Sequence, residues 1–310
     1  MPGIRITGWG TALPDKVVTN HDLAQTVSTT DEWITDRTGI KERRVGGTTT
    51  GLAVEAGQKA MDVAGLAPAD IQMVILATTS PDRQVPASAS AVQRELGLSC
   101  AAFDLNAACS GFVYALVADG FVKSGLDKIL VIGSETLSRI TDWTDRNTCI
   151  LFADGAGAAV VEASADDTGD LLGFSMSSDG TLEYALFAEV GGNLQMEGRA
   201  VFKNAVLVME TAARDAMTSA GVTADDIDVV IPHQANIRII DASCRRLGIP
   251  TDKALTVLHY TGNTSAASIP LAMVDGIEHG RIKKGDLVLM VGFGAGMTSA
   301  ASVMRWSADT

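Results

Sequence analysis

Short unbroken apolar runs bounded by charged or turn-forming residues punctuate this chain: one around Val74-Ile75, DKILVIG from Asp127, DVVIP from Asp228 and DLVLMVG from Asp286. Runs of that length and composition predict strands buried on both faces. Between them, Ser88–Leu96 and Ala205–Ala220 carry apolar residues at helical spacing. Such an alternation predicts a layered α/β architecture with helices between or over sheets. The pattern also repeats. Ala60-Met61 meets Ala216-Met217, Ala64-Gly65 meets Ala220-Gly221, Ile71 meets Ile227, Val74-Ile75 meets Val230-Ile231, and DKILVIG lies over DLVLMVG. Each copy reads helix, turn, buried strand, which predicts two similar halves, 1–165 and 166–310, unless two helix–strand units share their patterning by chance. The polar passage ASADDTGD at 163–170 is the expected crossing point, too short to let the halves move freely.

Composition narrows the class. With 310 residues, 46% of them hydrophobic, the chain can bury a large core. A net charge of −13 argues against nonspecific nucleic-acid binding, so a small molecule or a protein is the expected partner. No stretch of about 18 apolar residues occurs and the N-terminus MPGIRITGWGTALPDK has no long apolar segment, so a cytoplasmic location is the default expectation. Cys100, Cys109, Cys149 and Cys244 lie far apart with no C-x-x-C pair and no histidine at ligand spacing. Free thiols are expected, with no zinc site and no disulfide framework.

Four segments carry candidate chemistry. In AAFDLNAACSGFVYALVADGFVKSG an apolar strand and a small-residue turn place Cys109 at or near the start of a helix. The partial positive charge there favours a thiolate and can steady an oxyanion beside it, making Cys109 a candidate nucleophile; a buried structural thiol is the alternative. His233 follows the strand of DVVIPHQAN, where a rigid element can deliver a base or donor into a site, or where a histidine can simply be satisfied. Asn263 in HYTGNTSAAS stands in a Gly-Asn turn before small residues that open another helix, and most such pairs are only turns. VGFGAGMTSA lets backbone approach a ligand and aim N–H groups at developing negative charge. It lacks the spacing of a dinucleotide fingerprint, and there is no phosphate-binding lysine loop. His259 reads as packing or capping, and His21 and His279 as surface residues.

Taken in order, ALPDKVVTN, TTDEWITDRTGIKERR, LNAACSGF, TDRNTCILFADGAGAAVV, VFKNAV, PHQANIRII, HYTGNTSAAS and GFGAGMTS resemble the ketoacyl-acyl-carrier-protein synthase III family over nearly the whole chain. The resemblance implies a thiolase-like, five-layered α-β-α-β-α fold from two duplicated halves, and a homodimer. It implies Cys109 as acyl-accepting nucleophile, His233 and Asn263 as donors assisting decarboxylation of a malonyl thioester, and backbone N–H groups of Cys109 and Ala295 as the oxyanion hole. For coenzyme A it implies Trp33 and Arg146 sandwiching adenine, Arg37 and Thr29 near the phosphates or base, and Gly198, Phe202, Ala235 and Asn236 along a pantetheine tunnel. Arg238, Arg245 and Arg246, with Lys203, become candidates for docking an acidic carrier protein, or else a solvated helix face. Val85 stands where some relatives carry a bulky aromatic at the acyl pocket. Asn147, Arg199 and Met297 also depart from the common pattern, which bears on primer choice rather than reaction class.

The implied activity is condensation of an acyl-coenzyme A primer with malonyl-acyl-carrier-protein to start fatty-acid synthesis, without metal or redox cofactor. The alternative is a starter-loading or acyl-transfer enzyme of polyketide or other secondary metabolism. A degradative thiolase needs a second cysteine in the C-terminal glycine turn, which GFGAGMTSA lacks. A noncatalytic coenzyme A-binding scaffold would have no use for all three polar residues.

Overall fold

The computed structural model describes residues 3–116, 118–164 and 169–309. The expected boundary between halves, at 165 and 166, lies outside the described residues. The layers are built from β1 (Ile4–Ala12), α1 (Thr49–Ala64), β2 (Met73–Ala77), α2 (Ser88–Glu95), β3 (Ala101–Leu105), α3 (Gly111–Ala115), β4 (Lys128–Thr136) and β5 (Asp154–Ala163), followed by β6 (Leu171–Ser177), α4 (Gly198–Ala220), β7 (Val229–Pro232), α5 (Ile237–Leu247), α6 (Ser268–Glu278), β8 (Leu287–Gly294) and β9 (Thr298–Arg305).

A five-stranded sheet has the order β1-β5-β4-β2-β3, and a four-stranded sheet the order β7-β8-β9-β6. Their pairings match. β1 and β4 flank β5 antiparallel while β2 runs parallel to β4, as β6 and β8 flank β9 antiparallel while β7 runs parallel to β8. The apolar runs that overlie in the sequence, β2 with β7 and β4 with β8, hold equivalent places in the two sheets. Where β3 pairs with β2, the second sheet has only a single parallel bridge between Val230 and Ala254.

Alternate residues of each run face opposite ways. Val74, Leu76, Leu130 and Ile132 pack outward under α1, while Ile75 and Val131 join Ile231, Val288 and Met290 between the sheets. α1 and α2 cover the outer face of the first sheet, α3 and α6 lie between the sheets, and α4 with α5 alongside covers the second, so the five layers are present. α6 shows why it is central: nearly every residue of SIPLAMVDGIE is buried, and each buried Leu, Ile or Met stabilises the packing by about 1.5–3 kcal/mol. α1 and α4 each end on a left-handed glycine, Gly65 (φ 68°) and Gly221 (φ 71°), the conformation glycine adopts at least cost. α4 begins seven residues before the Ala205 predicted from spacing, because Gly198–Asn204 continues the helix over the site instead of forming a loop.

Candidate active site

Three chain reversals meet between the sheets. β3 leads into Asn106-Ala107-Ala108-Cys109, where Ala108 holds a left-handed φ of 47°. A non-glycine residue there costs on the order of 1–3 kcal/mol, offset by the surroundings. Ser110 Oγ donates to Ala107 O (2.7 Å), and Thr298 Oγ1, 2.9 Å from Ser110 Oγ, also donates to Ala107 O (2.9 Å). The end of β8 presses on the same backbone: a Cβ on Gly294 would stand 2.5 Å from Cys109 N, and one on Gly292 3.2 Å from Cys109 O. Only glycine lets the Gly294-Ala295 strand end lie against the cysteine N–H.

Cys109 is 6% exposed, and burial pushes its thiol from 9.0 up to about 12. This corrects the thiolate expected from the helix start. The cysteine sits in a single 3-10 turn, Ala108–Ser110, before the five-residue α3, and a helix end worth under about 1 kcal/mol cannot offset desolvation worth about 4 kcal/mol. At rest the group is a thiol.

His233 follows β7 directly, with its N–H on Val291 O (2.8 Å). Its Nδ1 lies 2.7 Å from Ser268 Oγ, which already accepts the Gln234 N–H (3.4 Å). A Ser268 hydroxyl that gives its own proton to Nδ1 leaves the ring proton on Nε2. Burial lowers the imidazole to about 3, so it is a neutral donor throughout the physiological range. Asn263 is held by main-chain bonds to Leu151 O and Ala153 N, both 2.9 Å. Its Oδ1 accepts Ser265 N (2.9 Å), which leaves the Nδ2 protons for the cavity.

The surroundings form a passage. A cleft of about 850 Å³ is lined by Trp33, Arg37, Asn147, Arg199, Phe202 and Arg238, among others. It shares Met196, Gly198, Phe202 and Asn236 with a narrow neck of about 90 Å³, whose wall also carries Cys109, His233, Asn263 and Ala235. Cys109, Phe152 and Leu186 are in turn shared with an inner cavity of about 300 Å³ bounded by Leu137, Ile140, Phe187 and Ala295. Cys109, His233 and Asn263 thus converge, Ala295 reaches the cysteine's cavity, and Gly198, Phe202, Ala235 and Asn236 all line the neck.

Other expected site residues stand elsewhere. The Arg37 and Arg146 guanidinium groups both lie over the Trp33 ring, 4.5 and 4.8 Å from its centroid, so Trp33 and Arg146 stack on each other. A base between them would need the guanidinium to withdraw by about 3.5 Å. Arg146 donates to Ser28 O (3.0 Å), and neither it nor Thr29, whose buried Oγ1 has no hydrogen-bond partner among the described residues, lines the cleft. Arg238, 5.8 Å from the Phe202 ring, belongs to the cleft rather than to a separate patch. Arg245 and Arg246 follow it at the far end of α5, about 10 Å along the axis. Arg246 is paired with Glu210, which also takes Arg214. Val85 is 84% exposed and lines no wall of the inner cavity in its own chain. Its loop is anchored at both ends, by Asp82, which accepts the N–H groups of Thr49 and Thr50, and by Asp104, which accepts those of Ser88 and Ala89.

Known proteins share this fold. The family described as 3-oxoacyl-[acyl-carrier-protein] synthase III matches residues 103–180, and its C-terminal counterpart residues 217–306. The beta-ketoacyl-[acyl-carrier-protein] synthase III of Erythrobacter litoralis is 48% identical over 97% of this chain and 98% of its own length. The chain belongs to the ketoacyl-acyl-carrier-protein synthase III family. A crystal structure of the Aquifex aeolicus synthase III superposes with a TM-score of 0.96 at 47% identity, covering 98% of this chain and all of that one. A priming beta-ketosynthase of the R1128 polyketide pathway gives 0.93 at 36% identity, over 99% and 97%.

This synthase III family member also holds polar residues that sequence reasoning missed. Gln234, fully buried, donates to Pro232 O (2.7 Å) and Leu255 O (3.1 Å) and accepts from Val257 N (2.9 Å) and Leu258 N (3.3 Å). It bolts the His233 strand end to the segment that leads to Asn263. Its place beside His233 in PHQAN was the available signal. Glu135 and Thr79 gave no such signal: they come from separate segments, and only the fold brings the Glu135 carboxylate onto the Thr79 N–H and hydroxyl beside the inner cavity.

Proposed function

We propose that this chain condenses an acyl-coenzyme A primer with malonyl-acyl-carrier-protein, with loss of carbon dioxide, to give a 3-oxoacyl-acyl-carrier-protein that starts fatty-acid synthesis. The observation that carries this reading is the convergence of Cys109, His233 and Asn263 on one neck between an arginine-lined cleft and an inner cavity. The acyl group passes from coenzyme A to Cys109 Sγ, its oxyanion facing the N–H groups of Cys109 and Ala295. Its chain occupies the inner cavity. The free thiol of coenzyme A leaves, and the malonyl thioester enters by the same neck. Carbon dioxide departs, and the enolate oxygen is met by His233 Nε2–H and the Asn263 amide. A neutral imidazole suits this role, because a donor that keeps its proton does not quench the carbanion. The carbanion then attacks the acyl thioester and expels Cys109 as a thiolate, which takes up one proton from solvent to regain the thiol.

Arg37, Arg199 and Arg238 around the cleft suit the phosphates of coenzyme A and of a carrier's prosthetic arm; Arg245 and Arg246 are offered as an outlying carrier contact. Strand β3, the open edge of the five-stranded sheet, is mostly apolar yet only partly buried, which supports the homodimer. Among the described residues no helix is long and apolar enough to cross a membrane; a cytoplasmic site, where both thioesters occur, is our placement. The R1128 likeness favours a second reading, starter loading for polyketide assembly through the same site. Intact mass after incubation with acetyl-, isobutyryl- and longer acyl-coenzyme A tests the chemistry. The adduct is expected to vanish in Cys109→Ala and persist in Asn263→Ala, while His233→Ala keeps loading and loses decarboxylation. No adduct from any primer, or parallel loss of both half-reactions in His233→Ala, overturns the assignment. Comparing fatty-acid and polyketide carrier proteins as acceptors separates the two pathways.

A further inference from the structure

Arg43, on the short strand Glu42–Arg44, is wholly buried, and the condensation steps make no use of it. Its guanidinium ties residues 18–20 to Ile150. Nη1 donates to Val18 O (3.1 Å), and Nη2 donates to Asn20 Oδ1 (2.8 Å) and to Ile150 O (3.0 Å). Among the described residues Nε has no hydrogen-bond partner and no carboxylate pairs with the group. Burial lowers it to about 10, so it stays charged at physiological pH. A cation buried without a counterion is costly to keep for packing alone, since an apolar side chain would fill the same space more favourably. What the guanidinium offers instead is a rigid planar fork that fixes several acceptors at once.

What it fixes lies directly behind the neck. Ile150 caps the one-turn helix Arg146–Cys149, and its carbonyl is one that the helix leaves free. The residues that follow carry Asn263: Leu151 O accepts Asn263 N and Ala153 N donates to Asn263 O, both 2.9 Å, and Phe152 forms a parallel bridge with Asn263. Leu151 and Phe152 line the neck together with Asn263. Arg43 also presses on the turn itself. A Cβ on Gly262 would stand 2.9 Å from Arg43 Cβ and 2.8 Å from Ala153 Cβ, and Gly262 holds a positive φ of 72° that suits glycine. One side chain thus grips both partners of the bridge between Phe152 and Asn263. We propose that Arg43 is a positioning residue for decarboxylation, clamping Ile150 O against the Gly262-Asn263 turn so that the Asn263 amide stays aimed at the enolate oxygen. The Cys109 backbone is braced by Ser110, Thr298 and the end of β8 instead, so acyl loading does not pass through this clamp.

The inference rests on the condensing-enzyme reading for the purpose of the amide, but hydrogen–deuterium exchange needs no substrate and reads the clamp separately. Exchange and both half-reactions are measured in Arg43→Met and in Arg43→Lys, which keeps the charge and loses the fork. The clamp expects peptides spanning residues 150–153 and 262–266 to exchange at least about tenfold faster in both variants, with β8 and α4 unchanged. Malonyl-carrier-protein decarboxylation falls at least about tenfold, while acyl loading from acetyl-coenzyme A stays within about threefold. In an Asn263→Ala background, Arg43→Lys costs decarboxylation no more than about twofold further, because the group it positions is gone. Unchanged exchange at these peptides, exchange raised evenly over the whole chain, equal losses in the two half-reactions, or the same loss with and without Asn263 overturns the clamp. Wild-type decarboxylation in Arg43→Lys also overturns it, since charge alone would then act. Should Arg43→Met not fold, the lysine variant decides by the same criteria. A wild-type chain that neither loads nor decarboxylates, with the local exchange response intact, would overturn the function and leave the clamp standing.

Discussion

Gly294→Ala tests whether the contact between the β8 end and the cysteine backbone sets the acylation geometry. Gly294 has φ −158° and ψ −175°, extended backbone that any residue adopts, so the substitution carries no conformational penalty. Its added methyl, however, would stand 2.5 Å from Cys109 N and 2.7 Å from Ala108 Cβ. Ordinary contact begins near 3.4 Å, so the two backbones must part by roughly 0.9 Å. Overpacking of this kind costs about 1–3 kcal/mol of stability. A displacement near 1 Å in a reacting group costs about 100-fold in rate. Single-turnover transfer from acetyl-coenzyme A, followed by intact mass, is therefore expected to slow about 100-fold. Gly296→Ala is the control. Gly296 has φ 70°, so alanine is strained there, on the order of 1 kcal/mol, but its Cβ meets nothing nearer than 3.9 Å. That variant loses stability and keeps acylation within tenfold. Wild-type loading in Gly294→Ala, or a greater loss in Gly296→Ala, would refute the reasoning.

Gln234→Leu removes four hydrogen bonds and strands buried backbone groups, so the denaturant midpoint should fall by the equivalent of about 3 kcal/mol or more; a loss under about 1 kcal/mol would show the bolt to be dispensable. His233 titrates near 6.5 unfolded and about 3 folded, so the unfolded chain alone binds its proton between those values. Stability present above pH 6.5 should drain as pH falls toward 3, by up to about 1.4 kcal/mol per pH unit from this group, and His233→Asn should remove that slope in denaturation series across the window. Arg37→Ala and Arg199→Ala should each raise KM for acyl-coenzyme A about tenfold and leave an acyl-pantetheine substrate unaffected, since only the former reaches the cleft; equal effects on both would place these arginines elsewhere.

The buried strands and the helix pattern were legible because a run buried on both faces has to be apolar throughout, whatever it packs against. That is why the equivalence of Val74-Ile75 and Val230-Ile231 shows in the residue order itself. Cys109, His233 and Asn263 could be picked out as candidates because each directly follows a strand or a turn, where a polar side chain can be delivered into a site. Where they point could not be read. Ala108 and Ser265 adopt left-handed backbone that no local preference asks of Ala or Ser, and only the packing around them sustains it.

Other properties depend on distance and dielectric rather than on residue type. The chain order of Cys109 and its small neighbours suggested a thiolate, but the enclosing sheets remove water and keep it a thiol. Arg146 and Trp33 were recognisable as a pair, while their closure on each other depends on side chains from separate segments. Glu135 offered nothing to a linear reading, since its donors, Thr78 to Ser80, lie more than fifty residues earlier in the chain. The amino-acid order by itself pointed to alternating helices and buried strands, to an internal repeat and to the candidate groups, because those follow from apolar periodicity and local turns. Tertiary structure alone decided their protonation, their hydrogen-bond partners and the passage that joins them, because desolvation and alignment exist only once distant segments have packed together.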